Sequence, residues 1–148
     1  MQQVMTSIPA QKSPVHPPPA TATAADVMRP SLTTVSQHDH VAAAAYLMKH
    51  ADTTALMVVD AQTGQPAGII TEADVARAIA DGKDVNDVRA DAVMTTRPAI
   101  TTTTGIRDAA KIMTARHFRH LPVAGDAGLL GVIDITDVCR ELNNAGEG

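Results

Sequence analysis

The sequence predicts a mixed fold of class α+β, built from two copies of a strand–helix–strand–strand–helix unit packed as a pseudo-two-fold pair. Three observations predict it. The chain has 148 residues, enough for one domain of ordinary size. Hydrophobic residues make up 45% of it, but with one Tyr, one Phe and no Trp the core must be aliphatic. Residues 25–82 and 91–142 also carry the same elements in the same order, joined by a linker over residues 83–90.

The two ends of the chain lack these elements. Residues 1–24 are rich in Pro, Thr, Ala and Gln without a period, and Pro17, Pro18 and Pro19 exclude a helix there. No apolar face offsets the entropy of ordering this segment. We therefore predict a disordered tail over residues 1–24 and a disordered end over residues 143–148.

Each copy opens with a short Met-containing segment, residues 26–28 in the first and 92–94 in the second. An Arg-Pro pair and a Thr-rich, β-prone stretch follow. The next helix has the same apolar pattern in both copies at a constant offset of 65 residues: Ala44, Ala45, Leu47 and Met48 match Ala109, Ala110, Ile112 and Met113. Asp39 and Thr104 precede these helices, and we predict them as N-caps.

The second half of each copy is a pair of strands that leads into a final helix. The strands at residues 55–59 and 120–124 are apolar, and a glycine-containing turn follows each. The next strands begin near Gly68 and Gly131, and Gly82 is predicted to follow the first copy's last helix as a C-cap glycine. One copy of roughly 50 residues is too small to bury a good core alone, so the two must pack together.

The junction between the last strand and the last helix has the most specific pattern. Thr71 is followed three residues later by Asp74, a spacing that predicts a capping box at a helix N-terminus. The same geometry suits a ligand, since free N–H groups attract an anion and a carboxylate accepts from hydroxyl groups. The second copy has Asp134 and Asp137 at these positions. Asp134 caps a helix as well as Thr does, but its charge repels a phosphate by about 1 kcal/mol at ~4 Å in water.

These motifs, together with the Leu-Pro-Val strand at residues 121–123, resemble the CBS domain, which occurs in pairs called Bateman modules. The resemblance covers residues 25–142. It implies a non-catalytic module that binds AMP, ADP, ATP or S-adenosylmethionine between the copies, needs no cofactor and regulates an unknown partner protein. Standalone pairs of this family often form homodimers.

The resemblance also implies the site residues. The matching Thr and Asp contact ribose and phosphate, and residues just before the Leu-Pro-Val strand line the nucleotide. The predicted ligand-binding residues are Thr71, Asp74, Asp134, Asp137, Arg119, His120, Ala55 and Ile70. Two unequal sites are expected: one at Thr71 and Asp74 that favours a phosphorylated nucleotide, and one at Asp134 and Asp137 that is empty, weaker or selective for an uncharged group. The adenine would lie in an aliphatic slot lined by Ile69, Ile70, Met57 and Pro122.

Alternatives remain open at this point. The basic run over residues 116–120 also suits a solvated helix end. The pair could be a constitutive interaction or dimerisation module whose sites have decayed. An enzyme has no supporting motif: Cys139, within the last helix, is expected to be a small buried hydrophobe.

Other classes of partner fit the sequence poorly. His38, His40, His117 and His120 lack the spacing of a metal site. The net charge of −4 and the scarcity of aromatic residues argue against nucleic acid as a partner. No apolar run approaches the ~18 residues of a membrane span. With its single cysteine, the chain is expected to be cytoplasmic.

Overall fold

The computed structural model describes residues 22–31 and 33–147. Most of the predicted tail lies outside the described residues. Its last three residues are ordered, however: Ala22 and Ala24 are buried, and the carbonyl of Ala22 accepts from the N–H of Ile106. The predicted tail therefore ends earlier than residue 24.

The elements of each copy follow the predicted order. The first copy contributes β1 (Thr34–Ser36), α2 (Val41–Ala51), β2 (Ala55–Val59), β3 (Pro66–Thr71) and α3 (Glu72–Ala80). The second contributes α4 (Ile106–Arg116), β4 (His120–Gly125), β5 (Gly128–Asp134) and α5 (Ile135–Glu147). A short helix α1 (Ala24–Val27) precedes the first copy, and a 3-10 turn (Ala90–Ala92) precedes the second. The mixed helix and strand content confirms the predicted fold class.

The two sheets differ in their first strand. In the first copy β1 pairs parallel with β2, which pairs antiparallel with β3. In the second, β4 and β5 are antiparallel, but the predicted first strand is reduced to one parallel bridge between Ile100 and Val123. The turn after this strand is common to both copies: the Thr104 hydroxyl accepts from the N–H of Thr101 at 3.1 Å, and the Asp39 carboxylate accepts from the N–H of Ser36 at 3.0 Å.

The opening segments are exchanged between the two cores. Ala24 is fully buried in the second copy's core, and Val27 and Met28 pack against that core. Val93 and Met94 pack instead against the first copy's core, which includes Ala90. Each copy is thus completed by the other copy's opening segment, so neither sequence repeat is an independent packing unit.

The linker over residues 83–90 is packed against the first copy. The carbonyls of Val88 and Val85 accept from the first two N–H groups of α2, at 2.8 and 2.9 Å. These carbonyls satisfy N–H groups that a side-chain cap usually binds. The predicted N-caps Asp39 and Thr104 are wrong by one residue, since His40 and Gly105 occupy those positions.

The last helices of the two copies, α3 and α5, end in different ways. Gly82 lies just after α3 with a φ of +82°, as predicted for a C-cap glycine. Helix α5 continues to Glu147, so the predicted disorder is wrong for residues 143–147. Leu142, which lies in the second half of this helix, packs against the second core. In the part of the chain that the structure describes, no helix is long and apolar enough to cross a bilayer.

Candidate ligand cleft between the two copies

The first junction forms the predicted capping box. Thr71 ends β3, and its hydroxyl accepts from the N–H of Asp74 at 3.1 Å. The carboxylate of Asp74 accepts in return from the N–H of Thr71 at 2.9 Å, and from Arg77 at 3.1 Å. Asp74 is only 7% exposed. The junction thus holds a buried carboxylate in one orientation at the start of α3.

The second junction pairs Asp134 with His120. One oxygen of Asp134 accepts from the N–H of Thr136 at 2.7 Å, and the other lies 3.1 Å from Nε2 of His120. Burial lowers the pKa of His120, and the charges of Arg119 and Arg97 lower it further, while Asp134 opposes them. When His120 is protonated it balances the charge of Asp134, so the expected repulsion of a phosphate depends on that proton.

Asp137, the second copy's counterpart of Asp74, is held by two arginines. Arg29 donates to both of its oxygens, from Nε at 2.7 Å and Nη2 at 2.9 Å, and Arg140 donates at 2.9 Å. The hydrogen bond from Arg29 is the main cause that lowers the pKa of Asp137. This carboxylate is therefore ionised and its oxygens are already engaged.

A cavity of about 150 Å³ lies between the two β-hairpins. Of the predicted ligand-binding residues, Ala55 and His120 line it, and they occupy equivalent places because Ala55 pairs with Thr71 as His120 pairs with Asp134. Asp74 and Asp137 line two other grooves. The cavity's other lining residues are Ser31, Thr33, Thr53, Thr54, Leu56, Met57, Ile69 and Val132. Ligand pockets for drug-sized molecules are usually about 300–1,000 Å³, so this cavity suits one part of a nucleotide.

Two of the four residues of the predicted aliphatic slot lie at this cavity. Met57 and Ile69 line the cavity. Ile70, a predicted ligand-binding residue, is fully buried in the first copy's core and does not line this cavity. Successive residues of a strand point to opposite faces, and the register of β3 turns Ile69 rather than Ile70 toward the cleft. Pro122 is buried, and its carbonyl accepts from the N–H of Ile100.

The structure adds Arg97, a residue that sequence analysis did not select. Its guanidinium lies over the ring of Phe118, 4.0 Å from the centroid, and Arg116 lies 5.1 Å from the same centroid. No acceptor among the described residues bonds its buried Nε. Burial lowers the pKa of Arg97, and the nearby charge of Asp74 raises it. The charge of a first-copy carboxylate thus acts on a cation of the second copy.

The basic run before β4 divides into two parts. Arg116 ends α4, and His117 follows as its left-handed C-cap with a φ of 58°, as expected for a solvated helix end. Arg119 is exposed, and its carbonyl accepts from Ile135 N–H at 2.9 Å. The carbonyl of Thr54 makes the same bond to Glu72 in the first copy. Within this run, the structure places His120 at the cavity and leaves the Arg119 side chain at the surface.

Two further expectations concern chemistry outside the cleft. Cys139 was expected to be buried, but it is exposed, because Val138 rather than Cys139 faces the second core. Among the described residues, no group of three or more His, Cys, Asp or Glu side chains is arranged to hold a metal ion.

The repeat, the exchanged openings and the paired junctions match a known family. The model of the CBS domain matches residues 24–81 and 85–144. The chain belongs to the CBS-domain family. One curated relative, an uncharacterised 17.7 kDa protein of Acidianus ambivalens, is 33% identical over 117 residues, which are 78% of this chain. The chain spans 66% of that relative's length.

Solved structures share the fold of this CBS pair. Hypoxic Response Protein I, crystallised with two coordinated zinc ions, has a TM-score of 0.71 at 27% identity, over 80% of this chain and 97% of the other. CBSX2 in complex with AMP has a TM-score of 0.65 at 24% identity, over 84% of this chain and 98% of the other. At that identity the likeness to CBSX2 shows the shared fold alone.

Proposed function

We propose that this CBS pair is a non-catalytic regulatory module that binds an adenine nucleotide between its two copies and transmits the bound state to a separate partner protein. One observation carries the proposal: the Arg97 guanidinium of the second copy lies over Phe118 with its buried Nε unbonded among the described residues, and the charge of Asp74 in the first copy raises its pKa. A carboxylate accepts from ribose hydroxyls, and a guanidinium binds phosphate. A nucleotide supplies both groups and would bridge the two copies.

The electrostatics of Arg97 favour a phosphorylated ligand. Its Nε is buried with no acceptor among the described residues, and Arg116 places a second positive charge against the same ring. Arg97 is half-buried and donates from Nη1 to the carbonyl of Thr96 at 3.3 Å, but no carboxylate among the described residues bonds it, and a phosphate would supply that anion. S-adenosylmethionine brings a positive sulfonium instead, so we rank AMP, ADP and ATP above it. CBSX2, which shares this fold, has been solved in complex with AMP.

A nucleotide that touches both copies would regulate by selecting one relative arrangement of the copies. Such a ligand shifts the equilibrium only by the difference in its affinity for the two arrangements.

We expect the change to reach a partner through a homodimer. Ile79 is exposed on α3 and lines a groove of about 270 Å³ with Ala45, Met48 and Val75, an apolar surface that a second copy would cover. The cytoplasmic location stays a prediction.

Calorimetry and thermal melts with AMP, adenosine and S-adenosylmethionine test the proposal. At about 100 times its dissociation constant, a ligand adds roughly 2.7 kcal/mol to the free energy of unfolding. Asp74→Asn should weaken AMP at least tenfold while the circular dichroism spectrum stays native. Arg97→Gln should reduce the affinity for AMP to that for adenosine. Asp108→Asn, an exposed change on α4, is the matched control. If none of these compounds at millimolar concentration moves the melting midpoint, the proposal is wrong.

The alternative is a constitutive interaction module with degenerate sites. The pairing of Asp137 with Arg29 and the small size of the cavity favour it. It predicts a stable oligomer whose size and melting temperature do not respond to any adenosyl compound. Size-exclusion chromatography with and without AMP separates the two functions, because a regulatory module should change its assembly, its stability or both.

A further inference from the structure

Arg29 and Thr95 occupy equivalent places on the two copies. The backbone of Arg29 exchanges two hydrogen bonds with Val132, both 2.9 Å, and that of Thr95 exchanges two with Ile69, also 2.9 Å. Each pair lies two residues before the junction residue, Asp134 or Thr71. The Arg-Pro pairs hide this equivalence in the sequence, because Arg97 comes two residues after the position that Arg29 occupies.

Because arginine stands at this position in one copy and threonine in the other, the buried carboxylates of Asp137 and Asp74 have different hydrogen-bond partners. Arg29 lies across Asp137 and donates to both oxygens, at 2.7 and 2.9 Å. Thr95, in the same place before the first junction, has a side chain too short to span both oxygens of Asp74. An i,i+3 arginine is common to both copies, since Arg77 binds Asp74 as Arg140 binds Asp137. The forked contact from Arg29 thus distinguishes the second carboxylate from the first.

We propose that Arg29 is an internal competitor for the second ligand site and makes this CBS pair bind one nucleotide tightly and a second one weakly. This inference rests on the proposed function. Asp137 offers the same carboxylate as Asp74, but ribose hydroxyls reach its oxygens only after the Arg29 fork has left them. Two N–H groups of the Arg29 guanidinium bond both carboxylate oxygens at once. A pair of neutral ribose hydroxyls makes no stronger contact with the carboxylate.

Asp137 lines a polar groove of about 210 Å³ together with Arg29, Arg140, Glu141 and Asn144. Asp134 and Val132 precede it on β5, and Val132 lines the cavity between the hairpins together with Ser31. Ser31 is two residues after Arg29, so the segment that lines this cavity also carries the competing side chain. Arg29 is 66% exposed, which leaves it room to swing away into solvent when a ligand displaces it. The apparent affinity of the second site is its intrinsic affinity multiplied by the fraction of molecules in which Arg29 has left Asp137.

The proposal is tested by substitutions that remove the two-bond contact of Arg29 with Asp137 or create such a contact at Asp74. Calorimetry with AMP should find one tight site per chain in the unmodified protein. Arg29→Gln should strengthen the second site roughly fivefold, the scale of a partly exposed ion pair. Arg29→Lys keeps the charge but loses the fork, and should lie between the two. Thr95→Arg brings the fork to Asp74 and should weaken the tight site by a similar factor. Arg107→Gln, on α4, is the charge-matched control and should change neither site.

The outcomes separate this inference from the proposed function. If Asp74→Asn abolishes the tight site while Arg29→Gln and Thr95→Arg leave both affinities unchanged in folded protein, the function stands and Arg29 is not a competitor. Two sites of equal affinity in the unmodified protein would overturn the inference directly. If AMP binds neither the unmodified protein nor Arg29→Gln, the proposed function fails and this inference fails with it.

Discussion

The carbonyl oxygen of Thr95 lies 2.6 Å from the position that a Cβ would take on Gly68. The second copy repeats the contact, because the carbonyl of Arg29 lies 2.7 Å from the corresponding position on Gly131. Methionine sulfurs cover both glycines, Met94 at 3.0 Å and Met28 at 3.2 Å from those positions. The glycine that begins each strand–helix junction therefore admits the opening segment of the other copy.

Gly68→Ala should destabilise the protein, because its Cβ would meet a backbone carbonyl that is itself bonded to β3. Added volume in a tight contact usually costs about 1–3 kcal/mol. Urea denaturation measures the loss as a lower midpoint with an unchanged m-value. Gly125→Ala is the matched control, since its Cβ would meet only the flexible end of the Leu130 side chain at 3.1 Å. Equal losses for the two variants would contradict the close approach of the opening segment.

The exchanged openings predict that each methionine stabilises the opposite copy. Met28→Ala should increase amide hydrogen exchange mainly in α4, β4 and β5, and Met94→Ala mainly in α2, β2 and β3. The reason is that each side chain packs on the other copy's core. Mass-spectrometric exchange of the two variants resolves the copies by peptide. Faster exchange within the methionine's own sequence repeat would show that the openings are not exchanged.

His117→Gly should stabilise the protein by about 0.5–1 kcal/mol. His117 ends α4 in the left-handed region at a φ of 58°, where a side chain is strained and glycine is not. The side chain is exposed, so its removal costs little packing. The control is Arg116→Gly, one residue earlier in ordinary helical conformation, which should destabilise by a similar amount. Thermal melts of both variants should shift in opposite directions.

Stability should decline with acid in two separate windows. Burial lowers the pKa of His120 below its usual 6.5, so between 6.5 and the lowered value the unfolded chain binds more protons and stability falls as pH falls. The pKa of Asp137 lies below its usual 3.8, so the second loss begins as pH falls through 3.8. His120→Gln should remove the first decline in urea midpoints and leave the second. His117→Gln, at the exposed end of α4, should keep both.

Local patterns in the sequence predict much of this molecule. The repeat, the helix at residue 41, the capping box of Thr71 and Asp74 and the C-cap at Gly82 are all visible there. Each depends on side-chain period or on spacings of three or four residues, which act within one element. The family, and with it the pairing of the two copies, is also visible in the sequence.

The composition of the cleft depends on contacts between segments far apart in the chain. Arg29 and Asp137 are 108 residues apart, and their contact depends on which copy the first opening segment packs against. The two Arg-Pro pairs look alike, yet two extra threonines before Arg97 bring it onto Phe118, near Asp74, while Arg29 binds Asp137. Likewise, strand register selects Ile69 over Ile70 for the cavity. Sequence patterns report the preferences of single elements, whereas long-range packing and register place these charges, and that placement distinguishes the two sites.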